Sequence, residues 1–120
     1  MDDLERLRAE ISQFAKDRDW EKFHSPKNLS MALSVEVSEL MEHFQWLTEE
    51  ESRSPSSELK QELSQELADS AIYLIRLADQ LNVDLVAAID AKLNINKEKY
   101  PADKVRGSAA KYTAYDKGSS

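Results

Sequence analysis

The sequence predicts an all-α fold: a four-helix bundle in which an antiparallel, carboxylate-bearing helix hairpin is followed by a C-terminal arm. Apolar residues recur with the spacing of one helix face in four separate stretches. No stretch of useful length alternates between apolar and polar residues as a half-buried strand does. The chain has 120 residues, which is enough for one domain with a modest core. We therefore expect helices that pack on helices.

The first helix is predicted over about 4–17, with Asp2 or Asp3 as its N-terminal cap. Its apolar positions recur every three or four residues. They are Leu4, Leu7, Ile11 and Phe14 or Ala15. The other positions carry acids and bases of both signs, which is typical of a solvated outer face.

The second helix is predicted over about 26–47. Ser25 at the cap position and Pro26 at the first helical position form a typical helix start. Trp20 and His24 lie in the short segment before it. Aromatic residues at such a point more often cover a small core than bind a ligand, so their position alone assigns them no function.

The second half of the chain contains two further long helices and a short one. Thr48 and Glu51 have the spacing of a capping box, which predicts one short helical turn. The segment SRSPSS then breaks the helical pattern, because it places small polar residues around a proline. Long helices are predicted over about 57–81 and 84–99, and Pro101 ends the last one.

Two pairs of acids stand inside apolar helix faces without basic neighbours. Glu36 and Glu39 are three residues apart in the second helix, so their carboxylates emerge on one face. Glu66 and Asp69 have the same spacing in the third. No Lys or Arg occurs from 28 to 52, and carboxylates in apolar surroundings need a cation, hydrogen bonds or a raised pKa. The sequence provides no such cation nearby.

A hairpin brings the two pairs level with each other. The position halfway between them is about 52–53, beside the SRSPSS turn. If the second and third helices fold back antiparallel, four carboxylates converge on one interface, an arrangement that suits a hard divalent cation. A single E-x-x-E match would be weak support in a chain with 23 acids. A di-iron bundle is disfavoured, since it needs two Glu-x-x-His motifs, and of the two histidines only His24 stands three residues after a Glu.

Composition narrows the class of protein. The formal charge of −7 argues against binding to polymeric nucleic acid, whose partners usually present a basic face. The chain has only two glycines, Gly107 and Gly118, and both lie near its C-terminus. This excludes a glycine-rich phosphate loop in the body of the fold. The absence of cysteine excludes thiolate chemistry and is compatible with the cytoplasm. No apolar run predicts a signal peptide or a membrane span.

The acidic motifs and their surroundings resemble a known family. The pattern E-x-x-E followed by E-x-x-D is that of the MazG-like all-α nucleoside triphosphate pyrophosphohydrolases, and the match is nearest to their dCTP pyrophosphatase branch. Five stretches carry the resemblance in register over about 4–115. They are DWEKFHSPKNL, VEVSELMEHFQWL, QELADSAIYLIRLA, KLNINKEKYP and VRGSAAKYTAY. The departures are mild: Ser34 and Ser38 stand where a small residue, often Gly, is common, and Val35 stands where some branches have Glu.

The resemblance implies Mg²⁺-dependent cleavage of a nucleoside triphosphate, such as dCTP or a modified deoxynucleotide, to the monophosphate and pyrophosphate. It assigns Glu36, Glu39, Glu66 and Asp69 as catalytic and metal-binding residues. It also implies a set of residues that contact the nucleotide. These are Trp20 and Trp46 beside the base, Lys92 and Asn96 at the phosphates, and His24 and Tyr73 as further candidates.

The resemblance also implies an assembly. We expect a homodimer or homotetramer with a nucleoside triphosphate as substrate, since the second and third helices have apolar residues on more than one face. Residues 1–100 would form the helical catalytic domain, and 101–120 an extended arm with a disordered end. A non-catalytic module for helical oligomerisation, or for sensing a metal and a nucleotide, is the alternative.

Overall fold

The computed structural model describes residues 2–107, and every regular element in that range is helical. This confirms the all-α prediction. A 3-10 turn over Glu21–Phe23 lies between the first two helices. The helices are α1 (Asp3–Asp17), α2 (Pro26–Glu42), α3 (Glu49–Arg53), α4 (Ser57–Gln80), α5 (Leu85–Lys99) and α6 (Ala102–Val105).

Side chains cap the helices where the sequence predicts it. The Asp2 carboxylate accepts a hydrogen bond from the Glu5 amide at 2.8 Å, and the Ser25 hydroxyl accepts one from the Asn28 amide at 3.1 Å. Before α3, Thr48 and Glu51 form the predicted capping box. These caps satisfy amides that have no partner inside the helix, and so they fix where each helix begins.

The end of α2 differs from its prediction. The helix ends at Glu42, whereas the apolar pattern predicts helix as far as residue 47. Residues 43–47 form successive turns, in which the amide of Phe44 bonds the carbonyl of Met41. The amides of His43 and Phe44 bond carbonyls three residues back rather than four, so the last turn tightens and the regular α-helix ends.

The C-terminal part also differs from the predicted extended arm. Residues 102–105 form one helical turn, α6, after Pro101. Residues 108–120, which belong to the predicted arm and its disordered end, lie outside the described residues. The chain divides into two compact units, one up to Val83 and one from Asp84 on. Within residues 2–107, no helix is long and apolar enough to cross a bilayer.

Helices α2 and α4 form the most extensive helix–helix contact of the first unit. Their direction follows from two side-chain contacts. His43, just after α2, lies 3.8 Å from Glu62 near the start of α4, and His24, just before α2, contacts Arg76 near the end of α4. The end of α2 thus lies beside the first part of α4, and the start of α2 lies beside the last part of α4. The two helices are therefore antiparallel. The predicted hairpin is therefore present, and α3 lies in its connection.

The first unit has a small core and large apolar surfaces. The buried apolar side chains are Ala15, Leu29, Leu63 and Ala78. Helix α1 packs on α4 and leaves an apolar groove of about 480 Å³ between them. The side chains that line this groove are Leu7, Glu10, Ile11, Phe14, Ala68, Ala71, Ile72 and Ile75.

Candidate metal centre and nucleotide site

Three of the four predicted carboxylates come together between α2 and α4. Glu36, Glu39 and Glu66 each place a carboxylate oxygen within 4.8 Å of the others. The E-x-x-E spacing puts the first two on one face of α2, and the antiparallel pairing brings Glu66 of α4 opposite them. Asp69 lies one turn further along α4 and, although outside this group of three, is close enough to influence Glu36 electrostatically.

The electrostatics of the cluster show a concentration of negative charge. The pKa of Glu36 is raised from its ordinary value of 4.5 to about 7, and burial is the largest cause. The charges of Glu39 and then of Asp69 are the next contributions to this rise, followed by a hydrogen bond with Glu39 and the charge of Glu66. Like charges held together in partly buried surroundings disfavour the ionised form. The cluster therefore has excess negative charge at neutral pH.

Two oxygens of this cluster are buried without a hydrogen-bond partner. They are Oε2 of Glu36 and Oε2 of Glu66. The hydroxyl oxygen of Ser70, one turn after Glu66 on α4, is also buried without a hydrogen-bond partner. Buried carboxylate oxygens without a donor are costly unless a cation compensates them. Clustered carboxylate oxygens are the ligands that hard divalent cations prefer. These residues therefore fit a divalent metal ion.

The predicted base-binding aromatics lie on two different segments. Trp20 follows α1, where Asp19 adopts a left-handed backbone with φ of 56°, and its ring packs edge-on against Phe14 at 5.7 Å between centroids. The Trp20 and His24 rings are 6.3 Å apart, and 42% of Trp20 is exposed. Trp46 lies in the turns after α2 with 88% of its surface exposed. Both indoles thus have free surface for a planar ligand.

The remaining predicted site residues lie on α4 and α5. Tyr73 is half-buried, one turn after Asp69 on α4. Lys92 is exposed and Asn96 is half-buried, one turn apart on α5 in the second unit. Their contacts with a nucleotide stay predictions.

One charged residue near this site was not found from the sequence. Arg76 on α4 is only 2% exposed. Its Nε donates a hydrogen bond to Nδ1 of His24 at 3.2 Å, and its Nη1 lies 3.4 Å from an oxygen of Asp79. The other oxygen of Asp79 accepts from Arg8 of α1 at 3.2 Å. An arginine is almost never buried unless it is paired, and sequence alone does not show which arginine has buried partners.

An antiparallel helix pair with carboxylates clustered at its interface defines the class, an all-α protein with a candidate centre for a divalent metal. The family model described as the MazG-like family matches residues 31–114, a range that contains all four acids. The chain belongs to the MazG-like family. This confirms the resemblance seen in its motifs.

Individual relatives extend the match to nearly the whole chain. The chain is 45% identical to dCTP pyrophosphatase 1 of Homo sapiens over 120 residues, which cover 98% of this chain and 69% of that protein. It is 44% identical to dCTP pyrophosphatase 1 of Rattus norvegicus over the same shares. Among solved structures, a pyrophosphatase from Archaeoglobus fulgidus superposes with a TM-score of 0.79 and 36% identity, over 84% of this chain and 94% of that one.

Proposed function

We propose that this chain is a nucleoside triphosphate pyrophosphohydrolase that cleaves dCTP, or a related deoxynucleotide, between the α- and β-phosphates. The products are the monophosphate and pyrophosphate. The observation that carries this proposal is the carboxylate cluster with two unpaired buried oxygens, in a chain about 45% identical to dCTP pyrophosphatase 1. We also propose that the chain acts in clearing the nucleotide pool and that it does so in the cytoplasm.

We propose that the metal is Mg²⁺ and that its ligands are Glu36, Glu39, Glu66 and Asp69. Once bound, Mg²⁺ would neutralise phosphate charge and lower the pKa of a water molecule. The carboxylates hold negative charge at a fixed place between two helices, so they would repel a bare triphosphate and would bind one only through the metal ion.

The other proposed residues bind the substrate. Trp20 and Trp46 have exposed indole surface on which a nucleobase can stack, an interaction worth about 1–3 kcal/mol per base. His24 lies at the edge of Trp20 and offers a polar atom beside a stacked base. We assign Lys92 and Asn96 to the phosphates and Tyr73 to the nucleotide, because they match the corresponding positions of the family motifs.

Product analysis tests this function directly. The purified chain is incubated with dCTP and other canonical and modified triphosphates, with Mg²⁺ or with a chelator, and the products are separated by chromatography. We expect dCMP and pyrophosphate in equal amounts, only in the presence of the metal. Release of orthophosphate would contradict the assignment. Binding of dCTP with Mg²⁺ but without turnover would favour the sensing module instead.

We further propose that the chain works as a homodimer or homotetramer. Large apolar side chains on α2 remain about half exposed, including Met31, Val35 and Met41. The groove between α1 and α4 adds a further apolar surface. Contiguous exposed apolar surface on a small domain is typical of an interface between subunits.

Sedimentation equilibrium checks this assembly. We expect a mass of at least twice the 13.7 kDa of one chain at micromolar concentration. Met41→Glu, which places a charge on a side chain that is 59% exposed, is expected to lower the mass. Lys27→Glu on the same helix changes the charge at an exposed polar position and serves as the control. A monomeric wild type would contradict the proposal.

A further inference from the structure

Within residues 2–107, Arg76 is the one basic residue of α4 whose side chain is buried. The positive charge of its guanidinium is compensated by Asp79 at 3.4 Å. With the amide of Gln80 oriented so that its oxygen points to Arg76, this oxygen accepts hydrogen bonds from both terminal nitrogens at 3.0 and 3.1 Å. Arg8 of α1 holds the second oxygen of Asp79 in place. The terminal nitrogens of Arg76 are therefore held by Asp79 and Gln80, and its Nε–H points at His24.

This contact determines which nitrogen of His24 carries hydrogen. The guanidinium of arginine is always a donor, so Nδ1 of His24 accepts and carries no hydrogen. A neutral imidazole then has its hydrogen on Nε2, on the far side of the ring from Arg76. Within residues 2–107, the structure records no hydrogen bond from that Nε2. The pKa of His24 is lowered, first by burial and then by the Arg76 charge, which agrees with a neutral ring.

We propose that Arg76 is a positioning residue that holds His24 as a neutral donor, with hydrogen on Nε2, for an acceptor atom of the nucleobase. The proposal rests on the proposed function, since it takes Trp20 as the surface on which the base stacks. The ring of His24 lies in an edge-type arrangement with that indole. Trp20 is held in place by the hydrogen bond that its backbone N–H donates to the carbonyl of Ala15 at 2.9 Å, and by contact with the Phe14 ring. On cytosine, the acceptors available to such a donor are the ring carbonyl oxygen and the unprotonated ring nitrogen.

The contact with His24 gives a role to the buried guanidinium of Arg76, which is not part of the carboxylate cluster. A histidine beside a base is ambiguous at neutral pH, because it can donate or accept through Nε2. An arginine at Nδ1 removes this ambiguity, since an acceptor at Nε2 is incompatible with the neutral ring that Arg76 selects. A base that presents a donor at this position is therefore rejected, because two donors would face each other.

Nitrogen-15 spectra of the imidazole rings test the tautomer. The chain has two histidines, so His43 serves as an internal reference in every sample. Over about pH 5 to 8, we expect His24 of the wild type to keep Nδ1 unprotonated. In Arg76→Gln, which lacks the charge and the Nε–H, we expect the pKa of His24 to lie above its wild-type value, because burial then lowers it without the Arg76 charge. A wild-type His24 with hydrogen on Nδ1 would overturn the proposal.

Steady-state kinetics with dCTP and Mg²⁺ test the effect on the substrate. We expect Arg76→Gln to raise KM about tenfold while kcat changes less than about twofold, because an interaction with the base contributes to binding. Arg76→Lys keeps the charge but lacks the planar fork, so we expect it to raise KM as well. Full rescue by lysine would indicate that the charge alone matters, which would overturn the positioning role.

Two further variants separate positioning from general damage to the fold. In a His24→Ala background, Arg76→Gln is expected to raise KM no further, since it acts through His24. Arg8→Gln loosens the same Asp79 without contacting His24, and we expect unchanged KM and an unchanged His24 titration. A KM effect that persists without His24 would overturn the proposal. If the wild type releases no pyrophosphate, the proposed function fails, whereas the ring spectra still decide whether Arg76 fixes the tautomer.

Discussion

Neutralising either Glu39 or Asp69 is expected to lower kcat/KM for dCTP about 10²- to 10³-fold. Glu39→Gln and Asp69→Asn keep the size of each side chain and remove a negatively charged ligand oxygen. The proposed metal would then be held more weakly and placed less well against the phosphates. The assay is pyrophosphate release at saturating Mg²⁺, with circular dichroism to confirm that the helices are retained.

Glu42→Gln provides the matched control for this experiment. Glu42 is the last residue of α2 and is exposed, one turn beyond Glu39. The same chemical change there removes one negative charge from the same helix, at a residue outside the group of three clustered carboxylates, so we expect less than a twofold change in activity. If Glu39→Gln and Glu42→Gln behave alike, the carboxylates of α2 act as surface charge, and the non-catalytic alternative gains support.

The extents of the helices follow largely from local chemistry, and so the sequence predicts them well. The cap at Ser25 with Pro26, and the capping box from Thr48, fix the starts of two helices through bonds between neighbours. The end of α2 has no such signal, because the apolar pattern continues to residue 47 while the helix ends at Glu42. The consequence matters for function, since Trp46 then lies in a turn rather than on a helix face.

The clustering of the carboxylates was predictable because these residues have a regular spacing on both helices. Two acid pairs equidistant from a turn must meet if the hairpin closes, and three of the four acids do meet within 4.8 Å. The contact between Arg76 and His24 was not predictable in this way. It joins residues 52 positions apart through a single hydrogen bond, and neither residue stands in a repeating pattern that reveals the other. Such a pair is determined by tertiary packing alone.

The same crowding of charge that suits a metal should destabilise the metal-free protein. The pKa of Glu36 is about 7 in the folded chain against an ordinary 4.5, so between these pH values the folded state binds a proton that the unfolded state releases. The free energy of unfolding therefore falls as the pH rises from about 4.5 to about 7. Glu36→Gln removes this ionisation. Without metal at pH 8, we expect it to stabilise the fold by about 1–2 kcal/mol, after allowing for solvent screening, and to raise Tm by about 4–8 °C.

Thermal unfolding of wild type and Glu36→Gln, at equal chain concentration with and without Mg²⁺, measures this effect. The wild type should gain stability from Mg²⁺ above pH 7, because the metal binds the folded state and not the unfolded one. Glu36→Gln should begin with a higher Tm, gain less from Mg²⁺ and lose activity, which is the trade-off expected where a site is built for function rather than for stability. Glu42→Gln should unfold like the wild type under both conditions. A lower metal-free Tm in Glu36→Gln would mean that Glu36 stabilises the fold as an ordinary partner, and its assignment to the metal would then have to be abandoned.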